Sequence, residues 1–322
     1  MIQRNSLPIA LRELATVTVA FHPDPGLLAE QLAALDGVSL KVIVDNGSDE
    51  AQKSEMLRLA DSDPAVAIVC AGGNIGLAAA LNLGVDHIHA VRPDIPWVML
   101  LDQDSVPEPG AVRALLDAME ALTATSQRIG CIGPALRDVT TGLFHGFHQM
   151  SKGRWRRVYP LATDHPVECA NINGSGTLMS VALYCEMGGL KADLFIDHVD
   201  TEWAFRLRSA GCVLYGVPAA TFAHRMGDKS FSFWWFGRRV WPHRSPLRHF
   251  YLFRNAAWLA RRSYVPRTWK AWMVAKLALT MLVHALFDSE RRQQLGQMWS
   301  GLRASKSLGG HSPRLPGEGS KS

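Results

Sequence analysis

After a mixed-polarity start, the chain runs into an uncharged apolar stretch at residues 16–21, TVTVAF, which reads as a buried strand. Leu28, Leu32 and Leu35 then recur at helical spacing behind Pro25 and mark one face of a helix. Residues 41–44 form a second strand, ending at Asp45. Residues 66–70 form a third, followed by a glycine-rich turn and a helix through Leu77, Leu81 and Val85. Residues 97–101 form a fourth, ending at Asp102. Strands alternating with helices predict an α/β fold with a mainly parallel sheet flanked by helices. Such sheets bind ligands at the carboxyl ends of their strands, where Asp45 and Asp102 both stand.

Periodicity weakens over residues 140–166, which carry Gly142, Gly146, Gly153 and a basic run at 152–157. This stretch is expected to form loops or short antiparallel strands. Order returns over 163–216, with a helix expected through Trp203 to Ala210. Beyond Lys229 the chain is Trp- and Arg-rich, then helical to about Leu302. The last residues, rich in Gly, Ser and Pro, predict a disordered tail over 305–322.

Charge divides the 322 residues unevenly. From Arg225 onward there are 18 Lys and Arg against 4 Asp and Glu; before it there are 16 against 25. Seven of the ten Trp lie in the basic part, so the two parts are expected to do different jobs. The five cysteines form no CxxC pair and read as reduced core thiols of a cytoplasmic protein. The first residues lack the apolar core of a secretory signal. No uncharged apolar run reaches the ~20 residues that span a bilayer.

Four segments carry candidate chemistry. Asp102-Gln103-Asp104 ends a strand, and two carboxylates so spaced can hold a divalent cation beside a diphosphate. In isolation such a triplet is more often a turn; its place at a strand end changes the odds. Asp45 and Asn46 end another strand and offer hydrogen bonds to a nucleobase, although an Asn-Gly turn is common there. The turn Gly72-Gly73-Asn74-Ile75-Gly76 lacks both dinucleotide-fold spacing and a P-loop lysine. Residues 194–202, LFIDHVDTE, gather Asp197, Asp200 and Glu202 behind an apolar start. A carboxylate there could act as a base toward an acceptor hydroxyl, or simply favour a helix start. His224 could be a metal ligand or a phosphate contact, and a lone His is more often structural.

Together, residues 17–23, 44–48, 74–77 with Asn82, 100–105, 194–202 and 224–227 resemble the family 2 nucleotide-sugar glycosyltransferases of GT-A fold. The likeness is closest to their rhamnosyltransferase group and runs from about Leu14 to Asn255. It implies nucleotide-sugar contacts from Phe21, Asp45, Asn74, Gly76 and Asp102. It also implies Mg2+ or Mn2+ held by Asp102 and Asp104 with His224, and an acceptor site lined by Asn173, Gly174 and Ser175. Asp200 would be the base of an inverting transfer, with Asp197 as the alternative. The expected donor is dTDP-L-rhamnose and the expected acceptor a lipid-linked saccharide or glycolipid, with no nucleic-acid partner. On this reading residues 1–228 are the catalytic domain, with a nucleotide-sugar half at about 14–105 and an acceptor half at about 130–228. Residues 229–304 are then a helical, membrane-proximal extension.

That extension is expected to dock on the cytoplasmic face of a membrane through an interfacial helix at 271–287. Arg238, Arg239, Arg244, Arg248, Arg254, Arg261, Arg262 and Arg267 would add a basic surface beside Trp234, Trp235, Trp241 and Trp258. The competing functional reading is a haloacid-dehalogenase-like phosphohydrolase using Asp102 as nucleophile and Asp104 as acid/base. It leaves the LFIDHVDTE segment unexplained.

Overall fold

The computed structural model of the chain describes residues 9–225, 230–234, 238–242 and 244–308, the two short stretches 230–234 and 238–242 at the level of the backbone. Met226 and Gly227 of the last motif lie outside the described residues, as do residues 309–322 of the expected tail and the Trp and Arg side chains at 234–241.

In chain order the first half runs β1 (Leu14–Ala20), α1 (Pro25–Ala34), β2 (Leu40–Asp45), α2 (Glu50–Ser62), β3 (Val66–Cys70), α3 (Leu77–Val91), β4 (Trp97–Asp102), β5 (Ser105–Pro107), α4 (Ala111–Thr123) and β6 (Ile129–Asp138). The second half runs β7 (Phe147–Ser151), β8 (Arg154–Val158), β9 (Val167–Cys169), β10 (Thr177–Ser180), α5 (Val181–Glu186), α6 (Val199–Ser209), β11 (Val213–His224), β12 (Ser230–Trp234), β13 (Arg238–Pro242), α7 (Pro246–Leu259), α8 (Arg267–Phe287) and α9 (Arg291–Ala304).

One sheet has the order β3-β2-β1-β4-β10-β6-β11-β5, with β9 added on β11. The four strands expected from the apolar runs pair in parallel, β1 at their centre between β2 and β4. Every residue of β1 and β2 is buried, as strands covered by helices on both faces require. Gly84 of α3 lies so close to Val17 that an added Cβ would collide with it, so helix and strand pack at backbone distance. Asp24 accepts hydrogen bonds from the N–H groups of Gly26 and Leu27 and starts α1 with Pro25 in its first turn.

Sheet direction reverses at β10, antiparallel to both β4 and β6. The irregular stretch holds one antiparallel hairpin, β7–β8, with Gly153 in its turn at φ 71°. α6 begins at Val199, earlier than the apolar pattern implies, so Asp200 and Glu202 fall in its first turn, where acidic groups meet the helix dipole favourably. Phe195, Asp197 and His198, just before it, all have φ near +60°. All five cysteines are unpaired.

Of the arginines expected to form a basic surface, Arg261 and Arg267 are exposed, while three others have partners within the fold. Trp258 is buried, with Arg262 stacked on its ring at 4.0 Å. Arg248 pairs with Asp197, and Arg254 donates to the carbonyls of Asp193 and Leu194. Arginine's forked donors find carboxylate and carbonyl partners inside the fold, so the count of basic residues overstates the free charge. α8 is different: it is long and apolar enough to cross a membrane by length and composition, yet only 22% of its apolar window is buried. Val274, Leu279, Leu282 and Leu286 are exposed on it.

Candidate active site

The carboxyl ends of β1, β2 and β4 converge, and the loops beyond them are tied together by side chains. Gln103 accepts the Phe21 N–H at 2.7 Å and donates to the Phe21 carbonyl at 3.1 Å, so the middle residue of the Asp-Gln-Asp triplet clasps the end of β1. Phe21 itself stays 42% exposed, its ring edge-on to His22. Gln31, buried on α1, accepts from Thr18 and donates to the carbonyls of Asp102 and Ser105. It fixes the backbone turn that presents Asp104.

Beyond β2, Asp45 accepts the Ser48 N–H at 2.8 Å. Asn46 accepts the N–H of Ile75 and donates to Asn74, whose side-chain oxygen also accepts the Gly76 N–H. The predicted nucleotide-side residues Asp45, Asn74 and Gly76 are thus drawn into one connected rim. Gly76 has φ 86°, and a Cβ there would stand 2.5 Å from the Phe195 ring. Only glycine lets this rim touch the acid-bearing segment, whose Phe195 carbonyl accepts from Ala78.

Asp102, Asp104 and His224 come together with one ligand atom from each lying within 4.8 Å of the others. Antiparallel pairing of β5 with β11 sets His224 opposite Ser105. His224 Nδ1 is 2.5 Å from the Ser105 hydroxyl and 3.4 Å from Asp104. Two carboxylates and one imidazole suit Mg2+ or Mn2+, whose six-coordinate shell would leave positions for a diphosphate's oxygens. Burial, with Asp104 and Asp200 adding to it, pushes the Asp102 carboxyl up to about 6 against the pull of His224 and Arg248.

Across from this cluster, the loop at residues 173–176 inserts between Asp102 and α6. Ser175, fully buried, accepts the Asp102 N–H at 3.2 Å. A Cβ on Gly174 would lie 3.9 Å from that of Asp200. Asn173 holds the loop by accepting from Thr177 at its carbonyl.

The two candidate bases have different surroundings. Asp197 is gripped at both oxygens by Arg248, at 2.9 and 3.0 Å, with its side chain 8% exposed. Among the described residues Asp200 accepts at Oδ1 alone, from the Thr201 N–H at 2.7 Å and hydroxyl at 3.3 Å. Burial raises its pKa to about 6, the Thr201 bonds pulling it back and Asp197 adding to the rise. Glu202, the third acid of the segment, is fully buried in a bidentate pair with Arg206. It has no access to the site.

Sequence reasoning missed Gln31, Gln103 and Arg248. Gln31 left one trace, a polar residue on the apolar stripe of Leu28 and Leu32. Arg248 left none, because its partner lies 51 residues away.

Residues 41–170 match the family described as Glycosyl transferase family 2. The dTDP-rhamnosyl transferase RfbF of Shigella flexneri is 28% identical over 226 residues, covering 70% of this chain and 72% of that protein. The N-acetylglucosaminyl-diphospho-decaprenol L-rhamnosyltransferase of Mycobacterium tuberculosis is 24% identical over 238 residues, covering 66% and 75%. Two solved structures share the fold. The mannosyltransferase PcManGT from Pyrobaculum calidifontis, in complex with GDP-Man and Mn2+, has a TM-score of 0.54 at 18% identity, covering 93% of this chain and 76% of that one. GalNAc-T7 with UDP, GalNAc and Mn2+ has a TM-score of 0.56 at 13% identity, covering 91% of this chain. The chain spans 56% of the length of that structure. The GT-A-like sheet and its flanking helices are common to both, and these relatives disfavour the phosphohydrolase reading.

Proposed function

We propose, from the premise that this chain is a family 2 glycosyltransferase, that it transfers L-rhamnose from dTDP-L-rhamnose to a hydroxyl of a lipid-linked glycan or glycolipid, inverting the anomeric centre. The observation that carries this reading is the placement of Asp200 beside, but outside, the Asp102–Asp104–His224 cluster, with the loop at 173–176 between them. The rim of Phe21, Asp45, Asn74 and Gly76 would receive the nucleoside, and Asp102 and Asp104 the diphosphate region. A divalent cation held by Asp102, Asp104 and His224 would offset the charge that gathers on the leaving diphosphate.

Asp200 serves as the base. As the acceptor oxygen bonds to the anomeric carbon, the bond to the departing phosphate oxygen breaks and Asp200 Oδ2 takes the hydroxyl proton. A pKa near 6 keeps it mostly ionised at neutral pH yet basic enough to accept that proton. Asp197 is the poorer candidate because both its oxygens are engaged by Arg248. Asn173, Gly174 and Ser175 line the acceptor side of the base. The exposed apolar side chains of α8 support docking on the inner face of the cell membrane, where a lipid-borne acceptor would be met.

The test is a panel of nucleotide sugars, followed by nucleoside-diphosphate release with Mg2+, Mn2+ or EDTA, and by NMR of the glycoside formed. Metal-stimulated turnover of dTDP-L-rhamnose with inversion is expected. Retention of configuration, or turnover indifferent to EDTA, would overturn the mechanism.

A further inference from the structure

Asp200 is the second residue of α6. Among the described residues both of its donors belong to Thr201, the N–H and the hydroxyl, and both reach Oδ1. The N–H is one of the first-turn donors that a helix cannot satisfy internally. The hydroxyl bond is less ordinary, because a helical threonine usually turns its hydroxyl back to the carbonyl three or four residues before it. Here those carbonyls are already engaged. That of Asp197 accepts from the Asn255 amide at 2.8 Å, and that of His198 accepts the Glu202 N–H at 2.9 Å.

A second contact sets the direction of the hydroxyl's hydrogen. An alcohol carries one donor and two acceptor sites. Asn171 donates to Thr201 Oγ1 at 3.3 Å and takes an acceptor site, so the hydrogen falls to Asp200. Thr201 and Asn171 are both buried, and bulk water has little access to this chain of bonds. Asn171 is anchored by its backbone: it forms a β-bridge with His148 of β7, and its neighbour Ala170 donates to the His148 carbonyl at 2.7 Å. Asn171 Oδ1 is buried and has no hydrogen-bond partner among the described residues. An apolar residue of similar size would avoid the cost of that unpaired oxygen, and would forfeit the donor to Thr201.

We propose that Thr201 and Asn171 are positioning residues of the transfer: Asn171 sends the Thr201 hydrogen to Asp200 Oδ1, and the two Thr201 bonds hold the carboxylate so that Oδ2 is the oxygen presented to the acceptor hydroxyl. The assignment rests on the reading of Asp200 as the base, and it adds what fixes that base. A carboxylate turns easily about its Cβ–Cγ bond. Held by one donor, its two oxygens can exchange places. Held at Oδ1 by a helix N–H and by a β-branched side chain stiff at χ1, they stay apart. Burial raises the Asp200 pKa to about 6, and both Thr201 bonds oppose that rise, so the same contacts favour the ionised form.

The test follows nucleoside-diphosphate release by the full chain from dTDP-L-rhamnose with Mg2+, water serving as the acceptor. Thr201→Val keeps the shape and removes the hydroxyl, whereas Thr201→Ser keeps the hydroxyl. Thr201→Val is expected to lower kcat by about tenfold or more, the scale of a bond lost to a charged group, with the donor KM and dTDP affinity within about twofold of wild type. Thr201→Ser should recover most of that loss, and Asn171→Leu should lie between Thr201→Val and wild type. On an Asp200→Ala background, Thr201→Val should cost nothing further, because the carboxylate that it positions is gone. Wild-type kcat in Thr201→Val would overturn the proposal. So would a full additional loss on the Asp200→Ala background, or a Thr201→Ser protein as impaired as Thr201→Val. If the melting midpoint shows that Thr201→Val does not fold, Asn171→Leu carries the comparison, and wild-type kcat there is the refuting result. An Asp200→Ala protein as active as wild type would instead sink the base reading, and this assignment with it. A wild-type protein that releases nothing from dTDP-L-rhamnose contradicts the donor reading alone, and the same variants are then compared on the nucleotide sugar that the panel selects.

Discussion

Glu202 offers a quantitative test of how the acid-bearing helix is held. Its carboxylate is fully buried and receives the Arg206 Nε and Nη2 donors at 2.9 Å each, plus the Tyr264 hydroxyl at 2.9 Å. Arg206, also buried, donates further to the carbonyls of Met187 and Gly189. Replacing Glu202 by Leu strands a guanidinium in the interior, and breaking such a pair costs about 3–5 kcal/mol. For 322 residues at ~2.1 cal/mol/K each, the unfolding entropy is ~0.7 kcal/mol/K, so the melting midpoint should fall by about 4–7 °C. The double substitution Glu202→Leu/Arg206→Met removes both charges and keeps volume. Although it forfeits the two carbonyl contacts, at roughly 1 kcal/mol each, it should cost less than Glu202→Leu alone. Differential scanning calorimetry and urea titration on the three proteins decide the matter. A single substitution costing under ~1 kcal/mol, or a double worse than the single, would refute the claim that the pair is a mutually dependent buried unit.

Asp104→Ala should abolish metal-stimulated nucleoside-diphosphate release, a loss of several kcal/mol in the barrier, with EDTA having no further effect; retained stimulation would remove Asp104 from the metal site. Asp200→Asn should lower turnover by roughly 10²–10⁴-fold while dTDP affinity holds. Since the base must be ionised and its pKa is raised to about 6, wild-type turnover should rise as pH increases through that value. The Asn variant should lose that limb, and an unchanged profile would point elsewhere for the base. Gly76→Ala should destabilise by more than Gly72→Ala, since both have positive φ but only Gly76 would bring a Cβ against Phe195; equal urea midpoints would contradict the close contact.

The parallel half of the sheet was legible because β1, β2, β3 and β4 are contiguous apolar runs, and two of them end on an aspartate. The candidate metal-binding triad was half legible: Asp102 and Asp104 announce themselves two residues apart, whereas His224 reaches them only because β11 lies antiparallel to β5. Strand direction is a property of the assembled sheet, and no local pattern encodes the reversal at β10. The start of α6 was misread because the apolar signal begins at Trp203, while the helix begins with the left-handed His198 and an acidic first turn. The different engagement of Asp197 and Asp200 was invisible in the sequence, since it depends on an arginine from α7. That Arg248, Arg254 and Arg262 have partners within the fold was invisible for the same reason: charge counts carry no information about partners.

Asn255 of α7, itself without solvent exposure, brings its amide within 2.9 Å of the carbonyl oxygens of Leu194, Ile196 and Asp197. Neighbouring Arg254 reaches Asp193 and Leu194. These carbonyls flank and include the positive-φ positions Phe195, Asp197 and His198 ahead of Asp200, and they lie in no α-helix or strand ladder. A chimera that kept everything up to β11 and borrowed its last helices from a relative would inherit a reaction centre whose supporting strut belongs to another protein. Exchange of the C-terminal helices between such enzymes should therefore succeed only when an asparagine at this place in the helix travels with the graft.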